Sequence, residues 1–189
     1  MILVTVGSQA PFDRLIRAVD EWAKVRGRSD VIAQIARGKY LPKHLEFTEF
    51  VNPLEFKGLV ERATVVVAHA GMGSIISALE LGKPIVVMPR RALFRETRND
   101  HQVAAAKQFS AHGQVIVADD EQELPERLDR ALTLKERVRI DTQASPQLIA
   151  TIQLFVDGKS HPCTTAMSIN AGDGDSKGIA EQATVTKPA

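Results

Sequence analysis

Val65-Val66-Val67-Ala68-His69-Ala70-Gly71-Met72-Gly73-Ser74 is the stretch of this sequence that decides the fold. Its apolar, β-branched start predicts a buried strand, and the two glycines lead into a helical pattern that ends at Gly82. Glycines let the backbone turn tightly and approach a ligand, and the free N–H groups of a helix N-terminus bind phosphate. The stretch therefore predicts either a phosphate-binding loop or a structural strand–helix turn in which Ser74 caps the helix.

Apolar runs alternate with helical patterns on both sides of this stretch. We expect helices between the strands and a last helix over 146–156, and we expect strands at 1–6, 30–36, 45–51, 64–68, 85–88 and 114–118. Short, nearly continuous apolar strands separated by helices predict a parallel sheet that is covered on both faces. The sequence thus predicts a doubly wound, Rossmann-like α/β domain over residues 1–157. Large apolar residues almost vanish beyond it, so residues 158–189 are expected to be a disordered polar tail without a catalytic role.

The composition excludes several classes of protein. The chain has 189 residues, 44% of them hydrophobic, and a formal net charge of +1, so it lacks the basic excess of a nucleic-acid binder. No apolar run is long enough to span a bilayer, and the N-terminus is typical of a first strand rather than a signal peptide. The single cysteine, Cys163, excludes an intrachain disulfide and fits a reducing cytosol.

A dinucleotide-binding domain is the first alternative, and the spacing argues against it. Gly71-Met72-Gly73 is not followed by the third glycine of the usual fingerprint. The second strand ends in Ile35-Ala36-Arg37, which offers no acid to a ribose. Residues 1–157 also lack an Asp-x-Asp motif or another clustered set of metal ligands. We therefore expect no nicotinamide, flavin or metal cofactor.

Three ordered motifs carry a resemblance to a known family. Residues 4–8 with 12–15, residues 69–74 with Gly82-Lys83-Pro84, and Asn99-Asp100-His101-Gln102 resemble the glycosyltransferase family 28 C-terminal domain, over most of residues 1–132. The chain is similar to a stand-alone form, the catalytic subunit of the dolichol-linked N-acetylglucosamine transferase. On residues 88–102 it is more similar to small subunits of bacterial exopolysaccharide glucuronosyltransferases.

The resemblance implies the C-terminal half of a GT-B glycosyltransferase, made as a separate chain. This chain would bind a UDP-sugar, which is a substrate and not a cofactor, with glucuronic acid as the favoured sugar. A membrane-anchored partner would bind a polyprenyl-diphosphate-linked acceptor, supply the general base, and hold the chain at the inner face of the plasma membrane. Transfer would be inverting and metal-independent, in exopolysaccharide synthesis.

One departure from the family pattern keeps a second function open. Ser77 stands where relatives often carry a glutamate that binds the ribose, and Glu80 lies one helical turn further on. The alternative is a non-catalytic nucleotide-binding or scaffolding subunit of such a complex.

Several candidate residues have both a ligand-binding and a structural interpretation. His69 could donate to a phosphate oxygen, as the one candidate catalytic residue of this chain, or hold the loop. Arg90 and Arg91, in a basic stretch that includes Arg95 and Arg98, could neutralise phosphate or carboxylate. Phe50 and Val51 end the third strand, where this fold places the uracil, but for Phe50 core packing is the favoured interpretation. The predicted UDP-sugar-binding set is Gly7, Ser8, Val51, His69, Ala70, Gly71, Met72, Gly73, Ser74, Ser77, Arg90, Arg91, His101 and Gln102.

Overall fold

The computed structural model describes residues 1–111, 113, 115–134, 139–140, 150, 153 and 156. The chain divides into two compact units, residues 1–143 and residues 144–189. In the second unit, Ala150, Gln153 and Val156 are helical, within the helix predicted over 146–156. The rest of that helix and the predicted disordered tail, 158–189, lie outside the described residues.

The first unit is a parallel six-stranded sheet with helices between the strands. Its strands follow the spatial order β3-β2-β1-β4-β5-β6, and every neighbouring pair is parallel. The doubly wound α/β prediction is therefore confirmed. The elements in chain order are β1 (Ile2–Thr5), α1 (Asp13–Arg26), β2 (Val31–Gln34), β3 (Glu46–Thr48), α2 (Pro53–Arg62), β4 (Val65–His69), α3 (Met72–Glu80), β5 (Ile85–Met88), a 3-10 turn (Ala92–Phe94), α4 (His101–Ala111), β6 (Ile116–Val117) and α5 (Leu124–Thr133).

Successive side chains of the strands point alternately into two apolar layers, one on each face of the sheet. Val65 and Val67 of β4 join the layer that α1 and α5 cover, and Trp22 packs in that layer. Val66 and Ala68 join the layer that α2, α3 and α4 cover. Because successive strand residues point to opposite faces, an uninterrupted apolar run is what a sheet buried on both sides requires. No helix in the described part of the chain is both long and apolar enough to cross a membrane.

Helix α3 begins at Met72, so Ser74 lies inside the helix and not before it. Gly71 is its N-cap, with an extended backbone, and Ser74 lies in the first turn, where its side chain caps nothing. The interpretation of Ser74 as the capping residue is therefore wrong. The predicted stop is confirmed, because Gly82 has φ +61° and its N–H and that of Lys83 bond the carbonyls of Leu79 and Ala78.

A buried carboxylate fixes the loop between β2 and β3. Asp20 of α1 is 1% exposed and accepts hydrogen bonds from the Tyr40 hydroxyl at 2.6 Å and from the backbone N–H groups of Lys43 and His44. Burial by itself would raise the pKa of Asp20, but these bonds outweigh it and lower the pKa below its ordinary value. The carboxylate thus stays charged and holds this loop against α1.

Candidate functional site

A large cleft lies at the carboxyl ends of the strands. It has a volume of about 1110 Å³ and is lined by the loops that follow β1, β3, β4 and β5. Because β1 and β4 are neighbours in the middle of the sheet, their two glycine-containing loops meet at this edge. A second groove of about 620 Å³ is lined by α1, by Pro125 of α5 and by Glu121 in the loop before α5. Open α/β sheets bind their ligands at the strand ends, so the first cleft is the candidate site.

The N-terminus of α3 opens into this cleft without a side-chain cap among the described residues. The first turn of a helix has N–H groups with no helical partner, and they carry a partial positive charge. Here that turn is Met72-Gly73-Ser74, and all three residues line the cleft. A Cβ placed on Gly73 would meet nothing within 4 Å, so the space beside it is open to a ligand. This arrangement suits an anion such as a phosphate.

The imidazole of His69 lies between two glycines. A Cβ on Gly7 would approach the ring Cε1 to 2.7 Å, and a Cβ on Gly71 would overlap the ring at Nε2. Gly7 also has φ +78°, a conformation that favours glycine. The two glycines of the neighbouring loops therefore make room for one side chain, which ends β4 and lines the cleft.

Burial sets the charge of His69. Desolvation, followed by the positive charge of Arg90, lowers the pKa of His69 to about 4, and the nearby backbone of Thr5 opposes this only weakly. Nδ1 has no hydrogen-bond partner of good geometry within the part of the chain that the structure describes. The ring is therefore neutral near pH 7. A neutral imidazole with so low a pKa is a weak base but still offers one N–H donor.

Arg90 is a buried cation that holds the loop after β1. The residue is 4% exposed, and its guanidinium donates to the carbonyls of Val6, Ala10 and Pro11 at 2.5 to 2.8 Å. It also stacks on the Phe12 ring at 4.8 Å. Within the described residues no carboxylate hydrogen-bonds to this guanidinium, although the charge of Glu96 acts on it and opposes the lowering of its pKa by burial. Its hydrogen bonds thus go to backbone carbonyls, and its positive charge acts on an anion in the cleft through space.

Gln102 is fixed in the wall of the cleft opposite the glycine loops. It is 8% exposed, and its Oε1 accepts the backbone N–H of Arg90 at 3.2 Å. The amide nitrogen remains as the donor toward the cleft. At the start of the same helix, the Asn99 Oδ1 accepts the His101 N–H and also contacts the His101 ring. His101 is exposed and lines the cleft.

Two polar pairs that the sequence analysis did not identify support these loops. The Thr5 hydroxyl donates to the Gln34 Oε1 at 2.8 Å, and the Gln34 amide bonds the carbonyls of Gly7 and Glu49. In the sequence, this pair is indicated only by a polar residue at the end of each of two apolar strands, Thr5 in β1 and Gln34 in β2. A second pair, Arg14 and Glu96, is bidentate at 2.8 and 2.9 Å and ties the loop after β5 to α1. For Arg14 the signal was its place in the Phe12–Leu15 motif.

Most of the predicted binding residues come together in the cleft. Twelve of the fourteen line it, and the exceptions are Ala70 and Arg91. Ala70 is 3% exposed and packs in the core. Arg91 donates through its guanidinium to the Asp119 carbonyl at 2.7 Å, away from the cleft. Phe50 is 46% exposed and lines the cleft, so core packing is the wrong interpretation for it.

Comparisons with known proteins agree with this architecture. The family profile described as the glycosyltransferase family 28 C-terminal domain matches residues 1–150. The chain is 34% identical to the UDP-N-acetylglucosamine transferase subunit ALG13 of Homo sapiens over 125 residues, 61% of this chain and 11% of that protein. It is 29% identical to the subunit of the same name from Yarrowia lipolytica over 133 residues, 64% of this chain and 65% of that protein. The matched region thus spans about a tenth of the human relative and under two thirds of the yeast one.

Solved structures share the fold at low sequence identity. The NMR solution structure of ALG13 has a TM-score of 0.53 at 20% identity, and the match covers 82% of this chain and 94% of that one. The UDP-GlcNAc 2-epimerase of Methanocaldococcus jannaschii, in complex with UDP-GlcNAc and UDP, has a TM-score of 0.56 at 14% identity, over 83% of this chain and 45% of that one. At these identities the likeness establishes the fold alone.

Proposed function

Because the chain belongs to the glycosyltransferase family 28 C-terminal domain family, we propose that it is the donor-binding catalytic subunit of a two-chain GT-B glycosyltransferase. The observation that carries the proposal is the uncapped N-terminus of α3, which opens beside the buried cation Arg90 in one cleft. Backbone N–H groups and an unneutralised guanidinium together suit the diphosphate of a UDP-sugar.

The proposed chemistry is electrostatic. As the bond between the sugar and UDP breaks, negative charge grows on the departing diphosphate, and the N–H groups of Met72-Gly73-Ser74 and Arg90 are placed to stabilise it. His69 acts as a neutral N–H donor to a phosphate oxygen and not as the general base, because its pKa is about 4. The base that deprotonates the acceptor hydroxyl belongs to a membrane-anchored partner, which also holds the polyprenyl-linked acceptor. Transfer is inverting and independent of a metal ion.

The donor sugar has two candidates. The relatives carry the name UDP-N-acetylglucosamine transferase subunit, which supports UDP-N-acetylglucosamine for this chain. The other candidate is UDP-glucuronate, as the donor in exopolysaccharide synthesis. Its binding is predicted to depend on Arg90 and Arg91. Both donate to backbone carbonyls, and only Arg90 lines the cleft, so neither is well placed to pair with a sugar carboxylate. Arg98 is exposed in the cleft lining and has no ion pair within the described residues, so it is the cation left for a glucuronate.

A tryptophan at Gly73 tests the phosphate site. The Gly73→Trp side chain enters open space and blocks the cleft without a core clash. Gly58→Trp is the matched control, because Gly58 lies inside α2 with equal room and outside the cleft. By calorimetry we expect Gly73→Trp to weaken UDP binding about a hundredfold, which is ~2.7 kcal/mol, and Gly58→Trp to leave it unchanged. Equal UDP affinity in the two variants would refute the phosphate site.

Reconstitution with the partner separates the enzyme from the alternative, a non-catalytic nucleotide-binding or scaffolding subunit. We expect the chain alone to bind UDP but to transfer no sugar to a polyprenyl-linked acceptor, and the pair to transfer it. A pair that retains full turnover with Gly73→Trp, or a chain that turns over alone, would contradict the proposal. Titration of UDP-N-acetylglucosamine and UDP-glucuronate against wild type and Arg98→Ala distinguishes the donors, because only glucuronate binding should depend on Arg98.

A further inference from the structure

The loop between β5 and α4 carries an exposed apolar turn at the edge of the cleft. Leu93 is 82% exposed and Phe94 is 53% exposed, although adjacent large apolar side chains normally seek the core. The next residues of the same loop, Glu96, Thr97, Arg98 and Asn99, line the cleft. We call residues 93–95 the rim turn, because they adjoin the part of their loop that lines the cleft but do not line it themselves.

Unpaired cations accompany these apolar side chains. Arg95 and Arg98 are exposed, and neither side chain makes a hydrogen bond or an ion pair within the part of the chain that the structure describes. Arg95 also has φ +56°, a left-handed conformation that an arginine adopts at a cost. A glycine would adopt that conformation freely, so Arg95→Gly should relieve backbone strain in this turn.

The rim turn is held in place from beneath. The guanidinium of Arg14 stacks on the Phe94 ring at 4.9 Å and pairs with Glu96, whose carboxylate also accepts the backbone N–H of Arg91. The exposed face of the turn is therefore presented by a fixed loop. A short rigid protrusion with apolar tips and free guanidinium groups has the chemistry that enters a lipid headgroup layer.

We propose that the rim turn binds an anionic membrane surface directly, with Leu93 and Phe94 inserted among the acyl chains and Arg95 at the lipid phosphates. The observations favour lipid over an acidic protein partner because exposed apolar side chains and unpaired guanidinium groups lie side by side, and an anionic bilayer offers acyl chains and phosphates together. This contact would set the mouth of the cleft at the bilayer surface. It goes beyond the proposed function, which assigns membrane attachment to the partner chain, and it does not depend on donor binding.

Vesicle flotation with the purified full chain tests the proposal. The probes are phosphatidylcholine vesicles with and without phosphatidylglycerol, at low and high salt. We expect binding to the anionic vesicles that salt weakens, and at least tenfold weaker binding for Leu93→Glu. Arg95→Gly removes the charge while relieving the left-handed backbone, so its fold is safe, and we expect about fivefold weaker binding. Leu41→Glu is the control, because Leu41 is 60% exposed in the loop after β2, and it should bind as wild type.

Three outcomes would overturn the proposal. They are no binding of wild type to anionic vesicles at low salt, equal binding by wild type and both rim-turn variants, and loss of binding to a partner protein with vesicle binding unchanged. UDP titration of Arg95→Gly keeps the two proposals apart. If Arg95→Gly binds UDP normally but no longer binds vesicles, the membrane contact is supported. The Gly73→Trp test measures nucleotide binding and does not test the membrane contact.

Discussion

Acidification should destabilise this protein through His69 before its carboxylates protonate. The ordinary pKa of histidine is 6.5, and burial lowers that of His69 to about 4 in the folded chain. The unfolded chain therefore takes up a proton below pH 6.5 while the folded chain does not. The stability that the folded chain gains relative to the protonated unfolded chain through His69 is fully present above pH 6.5 and is lost as the pH falls toward 4. At ~1.4 kcal/mol per pKa unit, the loss is ~2 kcal/mol near pH 5 and ~3 kcal/mol near pH 4.

Urea unfolding as a function of pH measures this loss. We expect the free energy of unfolding of the wild type to fall by ~2 kcal/mol between about pH 7.5 and about pH 5 in excess of the fall in His69→Asn. His101→Asn, which removes an exposed histidine, is the matched control. The Cε1 proton of His69 followed by NMR should keep its neutral shift down to about pH 5. Identical slopes for wild type and His69→Asn, or a His69 signal that titrates near pH 6.5, would refute the reasoning.

Three further changes test how the loops around the cleft are held. Gly71→Ala should cost about 1–3 kcal/mol in urea unfolding because its Cβ overlaps the His69 imidazole, and adding His69→Ala should recover most of the loss. If the losses in free energy of unfolding of the two single variants simply add in the double variant, this contact is contradicted. Arg90→Lys keeps the charge but loses the three carbonyl bonds, so UDP affinity should fall about tenfold by calorimetry; unchanged affinity would mean that charge alone matters. Asp20→Asn should lower the free energy of unfolding by about 1–3 kcal/mol, because the amide cannot accept all the bonds from Tyr40 and the backbone; an unchanged unfolding midpoint would contradict it.

The fold could be predicted from the sequence because its signals are local. Runs such as Ile85–Met88 are continuous, apolar and short, which is typical of a strand that is buried on both faces. Strand ends were less certain: β3 was predicted over 45–51 and extends only over Glu46–Thr48. The 3-10 turn at Ala92–Phe94 was not predicted, because its three residues carry no periodicity.

The site was only partly predictable, for a geometric reason. The glycine loop is contiguous, so its place between a strand and a helix could be predicted from residues 69–74 alone, and a phosphate-binding role stayed one of two interpretations. Arg90 and Arg91 are both predicted to bind the ligand, yet neighbours in extended backbone point to opposite sides, so Arg90 lines the cleft and Arg91 bonds Asp119. Bonds such as that between Arg14 and Glu96 join residues far apart in the chain, and they depend on packing that no local pattern encodes.

The hydrogen bonds from Arg90 to the carbonyls of Val6, Ala10 and Pro11 order the loop after β1 before a ligand binds. Ordering a loop of this kind consumes conformational entropy, about 1–2 kcal/mol for each backbone residue. In this chain that entropy is lost during folding, before any nucleotide arrives. Encounter with a nucleotide therefore requires little rearrangement of this wall, and association should proceed in a single fast phase whose rate follows nucleotide concentration.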